Sequence, residues 1–365
     1  MVVRTCGILS VILAILLPSL AAQPASQQKT AAGTETLKNV QVLKGIPEPE
    51  LRAMMTYIRS SLGVRCDFCH VNSRETGWEY EKDDKENKRT ARKMIQMVLD
   101  MNKNFFDGRT EVTCYTCHHG RSEPVSVPVL PMESPRFAER PGEEPRRESL
   151  PSAEAILAKY REALGGDAAL SKLGSRVEKG SVSGPNGQPF PIEVSQKGPD
   201  KMVATITMQQ GTITRCYDGA NAWGVTPRGP MEMSDDDRAR LKASADLMHD
   251  IDLKKQFESL TTAGMDSIDG RKVYVVRGRV SEGVSERLYF DAETGLLRRR
   301  LSISRTMIGI LPDQSDFDDY RDVAGIKMPF KVRYSSIDAF TSSYRQFTEI
   351  TVNVPIDDSK FAMPR

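Results

Sequence analysis

The chain has 365 residues, and its 51 lysines and arginines against 49 aspartates and glutamates give a formal net charge of +2 at pH 7. This length exceeds one ordinary core, so we expect two domains. The balanced charge gives no basic surface for nucleic acid, which we exclude as a partner, and it is uninformative about others.

The N-terminus has the features of a secretion signal. Arg4 precedes an apolar run from Ile8 to Leu17, and small residues such as Ala21 and Ala22 follow it, as is typical of a signal peptide. The run is shorter than the roughly 20 residues of a membrane-spanning helix. We expect residues 1–22 to be a signal peptide, residues 23–38 a flexible leader and the mature protein to be periplasmic. An uncleaved anchor, which would make the protein membrane-associated, is the alternative.

Two amphipathic helices are predicted next, each leading into a cysteine motif. Apolar residues recur at helical spacing at positions Leu51, Met54, Met55, Ile58 and Leu62, and again at Ala91, Met94, Ile95, Val98 and Met101. We therefore predict a compact, mainly helical domain over residues 39–121.

The two cysteine motifs have the spacing that covalent haem attachment requires. They are Cys66-Asp67-Phe68-Cys69-His70 and Cys114-Tyr115-Thr116-Cys117-His118. Two thiols separated by two residues can add to the two vinyl groups on one edge of a haem, and the histidine that follows is then held under the iron. We predict two covalent haem c groups, with Cys66, Cys69, Cys114 and Cys117 as tethers and His70 and His118 as iron ligands.

Three other uses of paired cysteines explain these motifs less well. A zinc site usually spaces its two CxxC pairs by about 15 to 20 residues, and these pairs lie much farther apart. A thioredoxin-like redox pair needs a preceding strand in a βαβ unit, which neither motif has. Two disulfides suit an exported protein but do not explain the repeated histidine. Haem attachment is therefore strongly favoured.

The sixth iron ligand separates electron carriers from haem proteins that bind small molecules. Methionine in this position closes the iron to other ligands and raises the potential. Met55 or its neighbour Met54 precedes the first motif, and Met94, Met97 and Met101 precede the second. Methionines at helical spacing are also common core residues. Neither of the two remaining histidines is expected to be a sixth ligand. His119 adjoins the proximal ligand His118 and cannot reach the far side of the same iron, and for His249 we expect a solvent-facing or locally paired side chain.

The remainder of the chain changes character twice. Residues 122–151 are rich in proline and are predicted to be an extended linker, or a strap over a domain surface. Residues 152–365 begin with a helix that Gly165-Gly166 ends, and many alternating stretches follow. A hairpin turn is predicted at 291–295 and a long helix from Ser234 to about Leu260. The predicted class is α+β: a mainly helical di-haem domain, then an antiparallel, open-barrel-like sheet with helices. Cys216 is expected to be buried in this sheet.

Residues 39 to 120 resemble the cytochrome c subunit of photosynthetic reaction centres. The stretches that carry the resemblance are Asn39-Val40-Gln41-Val42-Leu43, Ser61-Leu62-Gly63-Val64, Ala91-Arg92-Lys93-Met94 and Val112-Thr113-Cys114 onward. The resemblance implies that Met55 ligates the first haem and Met94 the second, with Met97 as the fallback. It also implies redox protein partners, a membrane-bound complex among them, and an association with photosynthesis. The well-known members carry four haems, whereas this chain has two motifs.

The C-terminal half resembles, more weakly, the LolA/LolB-like lipoprotein carriers. The suggestive residues run from Asp319 to Phe330 and from Asn353 to Ser359. Because the cavity of such folds holds acyl chains, the resemblance implies lipid or lipoprotein contact. A packed sheet that serves only as a docking module is the alternative.

The hypothesis from the sequence is electron transfer between periplasmic partners rather than enzymatic catalysis. Two rivals stay open: a di-haem peroxidase or reductase, which needs a five-coordinate iron with a nearby acid or base, and a lipid-binding protein with accessory haems.

Overall fold

The fold is described from a computed structural model that places residues 37–127, 150–231, 233, 235–338 and 342–364. The predicted signal peptide, almost all of the leader and most of the proline-rich linker lie outside these residues. Residues Thr36–Arg365 cluster into one compact unit. Among the described helices, none is both long and apolar enough to cross a bilayer.

The N-terminal part of this unit is helical. Its elements are α1 (Glu48–Leu62), a 3₁₀ turn (Cys66–Phe68), a short hairpin of β1 (Val71–Ser73) and β2 (Gly77–Glu79), α2 (Glu86–Phe105) and α3 (Cys114–His118). Helix α1 begins after Pro47, which needs no backbone donor, and carries acids in its first turn. It ends at Gly63, whose φ of 66° is the left-handed conformation that glycine adopts without strain.

The remaining described strands form one antiparallel sheet of 13 strands. They are β3 (Ser175–Ser183), β4 (Pro189–Lys197), β5 (Lys201–Met208), β6 (Gly211–Tyr217), β7 (Ala222–Thr226), β8 (Gly229–Pro230), β9 (Ser259–Ile268), β10 (Arg271–Ser281), β11 (Val284–Asp291), β12 (Leu297–Arg305), β13 (Ile310–Val323), β14 (Ile326–Ser336) and β15 (Ser343–Val352). The strand order is 8-7-6-5-4-3-15-14-13-12-11-10-9. Because β8 and β9 are the two ends, the sheet is open.

In the described part of the chain, three α-helices accompany the sheet: α4 (Ala153–Leu164), α5 (Gly166–Leu170) and α6 (Asp235–Ala245). The Ser152 hydroxyl caps α4 by accepting a hydrogen bond from the Ala155 amide at 3.2 Å. The inner face of α4 presents Ile156 and Tyr160 to the sheet residues Leu288 and Phe290, and these four side chains belong to one buried cluster. Burial of such apolar area supplies most of the stability of the sheet.

The structure confirms the antiparallel sheet, its open form, the end of α4 at Gly165-Gly166 and the turn between β11 and β12. Cys216 is fully buried, as expected. The long helix from Ser234 to Leu260 is wrong, because α6 ends at Ala245. The chain turns after Ala245, because the Leu247 amide donates a hydrogen bond to Pro199 O at 3.2 Å and so ties this segment to the residues between β4 and β5. Strand β9 then starts at Ser259.

Candidate haem-binding site

The first motif is a tight turn anchored to α2. The 3₁₀ turn over Cys66–Phe68 is closed by the His70 amide, which donates to Cys66 O at 2.9 Å. Asn87, in the first turn of α2, donates through Nδ2 to Phe68 O at 3.2 Å, and Lys85 Nζ donates to Asp67 O. The start of α2 therefore fixes the two residues between the cysteines, which sets where both thiols project.

The histidine of the first motif is half-buried and has an unpaired ring nitrogen. His70 Nδ1 is buried and has no hydrogen-bond partner among the described residues. Burial lowers the pKa of His70, and nearby Lys88 lowers it further. The ring lies edge-on to Tyr80 at 5.1 Å between centroids. A low pKa keeps the imidazole neutral at pH 7, which is the form that ligates iron.

The second motif is a short helix whose start is capped from both sides. The Thr113 hydroxyl accepts from the Thr116 amide at 3.3 Å, and the Thr116 hydroxyl accepts from the Thr113 amide at 3.0 Å. His118 Nδ1 lies 2.9 Å from Arg121 O. A backbone carbonyl on Nδ1 fixes the tautomer that leaves Nε2 as the free ligating nitrogen, an arrangement typical of metal-bound histidine.

Asn102 holds the segment that leads into the second motif. Its side chain is buried and accepts from the Val112 amide at 2.9 Å, while its Nδ2 donates to Val112 O at 2.8 Å. Both backbone hydrogen-bonding groups of one residue are thus satisfied by one side chain. Sequence reasoning missed this residue; its only signal is an asparagine near the end of an apolar helix.

The two motifs are joined through glycines. The Gly120 amide donates to Ser61 O at 2.8 Å. A Cβ at Gly63 would lie 2.1 Å from Gly120 O, so these two segments of the backbone approach each other more closely than any residue with a side chain at position 63 would allow. Gly63 lies three residues before Cys66 and Gly120 two residues after His118. The end of α1 therefore brings the entrance of one motif against the exit of the other.

The four motif cysteines are free, as are all the described cysteines. Cys66 and Cys117 are exposed, and burial raises the pKa of the Cys69 thiol and raises that of Cys114 to about 11. Each motif thus offers one exposed and one partly buried thiol. Thiols are the groups that add to vinyl groups in haem attachment.

The structure distinguishes the candidate methionines by their exposure. Met54 is fully buried in a cluster with Leu43, Ile95 and Ile308, so it is a core residue. Met55, Met94 and Met97 are 36%, 41% and 43% exposed. These three thioethers are accessible to an iron, and neither Met94 nor Met97 is favoured over the other by exposure.

Exposed aromatic side chains lie close to the motifs in the chain. They are Phe68, Trp78, Tyr80 and Tyr115. The rings of Trp78 and Tyr80 stack with centroids 5.5 Å apart. A haem is a large apolar plane, so exposed apolar rings and thioethers beside cysteines and histidines are the surroundings it needs. The residues present fit two c-type haems.

A buried lysine ties the β1–β2 hairpin to α2. Lys88 is buried; its Nζ donates to Tyr80 O at 2.8 Å and Lys82 O at 2.7 Å, and it pairs with Asp83 at 2.9 Å. Arg92 pairs with the same carboxylate at 2.8 Å. Arg92 and then Lys88 hold the pKa of Asp83 far below its ordinary value. Sequence analysis did not identify this cluster.

His249 lies in the sheet part, where it serves a polar network. Its Nε2 is 3.0 Å from Arg300 Nη1, and Arg300 also binds Glu286 at 2.7 Å and Gln256 at 2.6 Å. Burial lowers the pKa of His249. The histidine is therefore paired, with a partner far away in sequence rather than a local one.

Two CxxCH turns with positioned histidines are typical of c-type cytochromes, and comparison with known proteins finds a similar family and similar relatives. Residues 13–149 match the family described as the photosynthetic reaction centre cytochrome C subunit. The subunit of that name from Thermochromatium tepidum is 30% identical over 105 residues, 28% of this chain and 25% of the relative. Cytochrome c-554 from Chloroflexus aurantiacus is 33% identical over 88 residues, 22% of this chain and 20% of the relative. The resemblance seen in the sequence is confirmed.

This chain spans about a quarter of the length of these relatives. Among solved structures, a LolA superfamily protein from Nitrosomonas europaea is similar over 59% of this chain and 99% of its own, with 14% identity and a TM-score of 0.40. A putative outer membrane lipoprotein-sorting protein domain from Vibrio parahaemolyticus gives a TM-score of 0.36 with 10% identity over 56% of this chain and 97% of its own. Likeness at this level carries no argument about function.

Proposed function

We propose that the chain is a c-type cytochrome that binds two haems covalently and transfers electrons between redox partners. The observation that carries the proposal is the joint between the motifs, in which the Gly120 amide donates to Ser61 O at 2.8 Å. This hydrogen bond joins the helix that leads into the first motif to the residues that follow the second, and such proximity is suitable for passing electrons within one protein. Similarity to the reaction-centre cytochrome subunits supports the same function.

Each group in the site has a role in this proposal. Cys66 and Cys69 tether the first haem and Cys114 and Cys117 the second, while His70 and His118 ligate the irons. Bound haem supplies the one-electron couple between Fe(III) and Fe(II). The Arg121 carbonyl orients His118, and burial keeps His70 neutral.

Met55 and Met94 are proposed as the axial ligands on the opposite sides of the two irons, with Met97 as the fallback for Met94. The exposure of all three thioethers supports this assignment, as does the burial of Met54, which removes that neighbour as a candidate. Two six-coordinate irons would make the protein an electron carrier rather than a peroxidase.

We also propose that the protein works in the periplasm with redox protein partners, a membrane-bound complex among them. The reaction-centre relatives support this proposal. The same similarity is the ground on which we extend the proposal to a photosynthetic role. Lipid or lipoprotein contact by residues 152–365 stays a prediction.

Spectroscopy of the full chain tests the proposal. We expect the oxidised protein to be fully low-spin, the reduced protein to bind no carbon monoxide, and a redox titration to resolve two one-electron steps. A high-spin iron in the resting protein that binds carbon monoxide on reduction would favour the peroxidase rival. A wild-type protein without covalent haem would refute the proposal itself.

A further inference from the structure

The turn between β12 and β13 enters the core of the helical part. The turn spans residues 306–309 and is closed by the Thr306 amide, which donates to Gly309 O at 2.8 Å. Ile308 at its tip is 0% exposed and completes the small cluster of Leu43, Met54 and Ile95. A side chain from the sheet is therefore a core residue of the candidate haem-binding part.

The next residue of the turn packs against α1. A Cβ at Gly309 would lie 2.2 Å from the ring of Tyr57. Tyr57 is itself 5% exposed, so its ring has little room to move aside. Glycine at this position allows the turn to approach α1 as closely as a backbone can.

The same turn holds the segment before the second motif. The Thr110 hydroxyl donates to Thr306 O at 2.8 Å, and Arg305 Nη1 donates to Thr110 O at 3.4 Å. Thr110 lies four residues before Cys114. One turn of the sheet thus contacts the helix that carries Met55 and the approach to the second CxxCH.

A neighbouring connection of the sheet also binds α1. Arg59 Nη2 lies 2.6 Å from Asp338 Oδ1, in the loop after β14, and both side chains are about one-fifth exposed. The loops after β12 and β14 leave the same end of the sheet, because β13 and β14 are antiparallel neighbours of β12 and β13. Two loops from one end of the sheet therefore contact α1.

We propose that the β12–β13 turn positions the haem ligands, so that the sheet sets the coordination of the haem iron facing Met55. This inference rests on the proposed function. Met54 packs in one cluster with Ile308, and Tyr57 packs on Gly309. Met55 lies between Met54 and Tyr57 in the sequence of α1. A shift of the turn must rotate or displace α1, and with it the Met55 thioether. Ile308 and Gly309 act through α1 and are positioning residues.

The test compares two turn variants with a matched core variant in the full haem-loaded chain. Ile308→Ala removes the tip side chain, and Gly309→Ala forces the turn away from Tyr57. Leu288→Ala is the control, since Leu288 is also 0% exposed but lies in the sheet core. The readouts are carbon monoxide binding by the reduced protein, the midpoint potentials, and hydrogen exchange of the amides of residues 48–62.

We expect both turn variants to bind carbon monoxide at about half of their total haem, because the thioether is lost from one iron of two. One of the two midpoint potentials should fall, and the α1 amides should exchange at least about tenfold faster. Leu288→Ala should lower the unfolding midpoint without these changes, and Ile308→Val should restore the wild-type behaviour.

The inference is overturned if the turn variants lose stability as Leu288→Ala does while potentials, carbon monoxide binding and α1 exchange stay as in the wild type. Failure of the proposed function is recognised separately, because wild-type protein would then lack covalent haem. Hydrogen exchange of α1 still tests the contact with the turn in that case.

Discussion

Replacement of Gly63 by alanine should break the joint between the two haem motifs. Gly63 ends α1 at a φ of 66°, and its missing side chain lets Gly120 O approach to 2.1 Å from the position of a Cβ. A real Cβ needs roughly 3 Å from a carbonyl oxygen, so the residues after the second motif must move by about 1 Å.

Three costs add up in the Gly63→Ala variant. The left-handed conformation costs a residue with a Cβ about 1–2 kcal/mol. Loss of the Gly120 amide bond to Ser61 O costs about 0.5–1.5 kcal/mol, and the displaced loop adds packing losses. We expect the free energy of unfolding to fall by about 2–4 kcal/mol. Gly45→Ala is the matched control, because Gly45 has a φ of 78° but nothing within 4 Å of its Cβ position. This variant should lose only the free energy that the left-handed conformation costs.

The assay is denaturant unfolding of the haem-loaded chain followed by the Soret band and by circular dichroism. The Gly63 variant should unfold at a clearly lower denaturant concentration than the Gly45 variant. Equal midpoints for the two variants would refute the close approach of the two motifs.

Three further predictions concern single residues. Met55→Ala should lower one midpoint potential and open one haem to carbon monoxide, because an axial thioether is lost. In haem-loaded protein prepared without residues 1–22, and so without Cys6, thiol titration should find one thiol, Cys216, after unfolding and none in the native state, because burial raises the Cys216 pKa to about 12. Asp83→Asn should reduce the loss of folding stability that acid causes below about pH 4. Because the folded-state pKa of Asp83 lies below its ordinary value, the ionised carboxylate stabilises the folded protein above that ordinary value, and this contribution is lost as the pH falls.

Each of these predictions has a control or a contradicting result. Met54→Leu keeps the buried volume beside Ile308 and should cost less than about 1.5 kcal/mol of stability without opening either haem; carbon monoxide binding by Met54→Leu rather than Met55→Ala would reverse the ligand assignment. Five thiols in the unfolded protein that lacks residues 1–22 would exclude thioether bonds. Acid unfolding of Asp83→Asn that matches the wild type would show that the pairs with Lys88 and Arg92 contribute nothing.

Much of the sheet could be predicted because its strands alternate clearly. Alternation of apolar and polar residues predicts strands at the positions of β10, β11 and β12, and Gly295 marks the turn at 291–295. Strand β13 was missed, since Pro312 and a run of acids argue against a central strand. Its burial is mostly intermediate, so the usual apolar signal is weak.

The helix predicted beyond Ala245 shows a different limit. The residues from 246 to 256 can continue a helix, because no glycine or proline interrupts them. Long-range contacts end it instead: Leu247 binds Pro199 O, and the chain near His249 binds Arg300. Such partners lie tens of residues away and leave no local signal.

The residues of the candidate site fall into two groups, those that the sequence predicts and those that only the fold shows. The cysteines and histidines follow from the spacing of CxxCH, whereas Asn102, Lys88 and Ile308 act through contacts that the sequence does not display. Adjacent Met54 and Met55 are equivalent in the sequence, and only the fold separates them, because Met54 is 0% exposed and Met55 is 36% exposed.

The most direct test of the central claim is the intact mass of the purified full chain, with haem-bearing peptides located by fragmentation. We expect two covalent haems per chain, one on the peptide with Cys66 and Cys69 and one on the peptide with Cys114 and Cys117. A chain with one haem or none, or a haem at any other cysteine, would contradict the account.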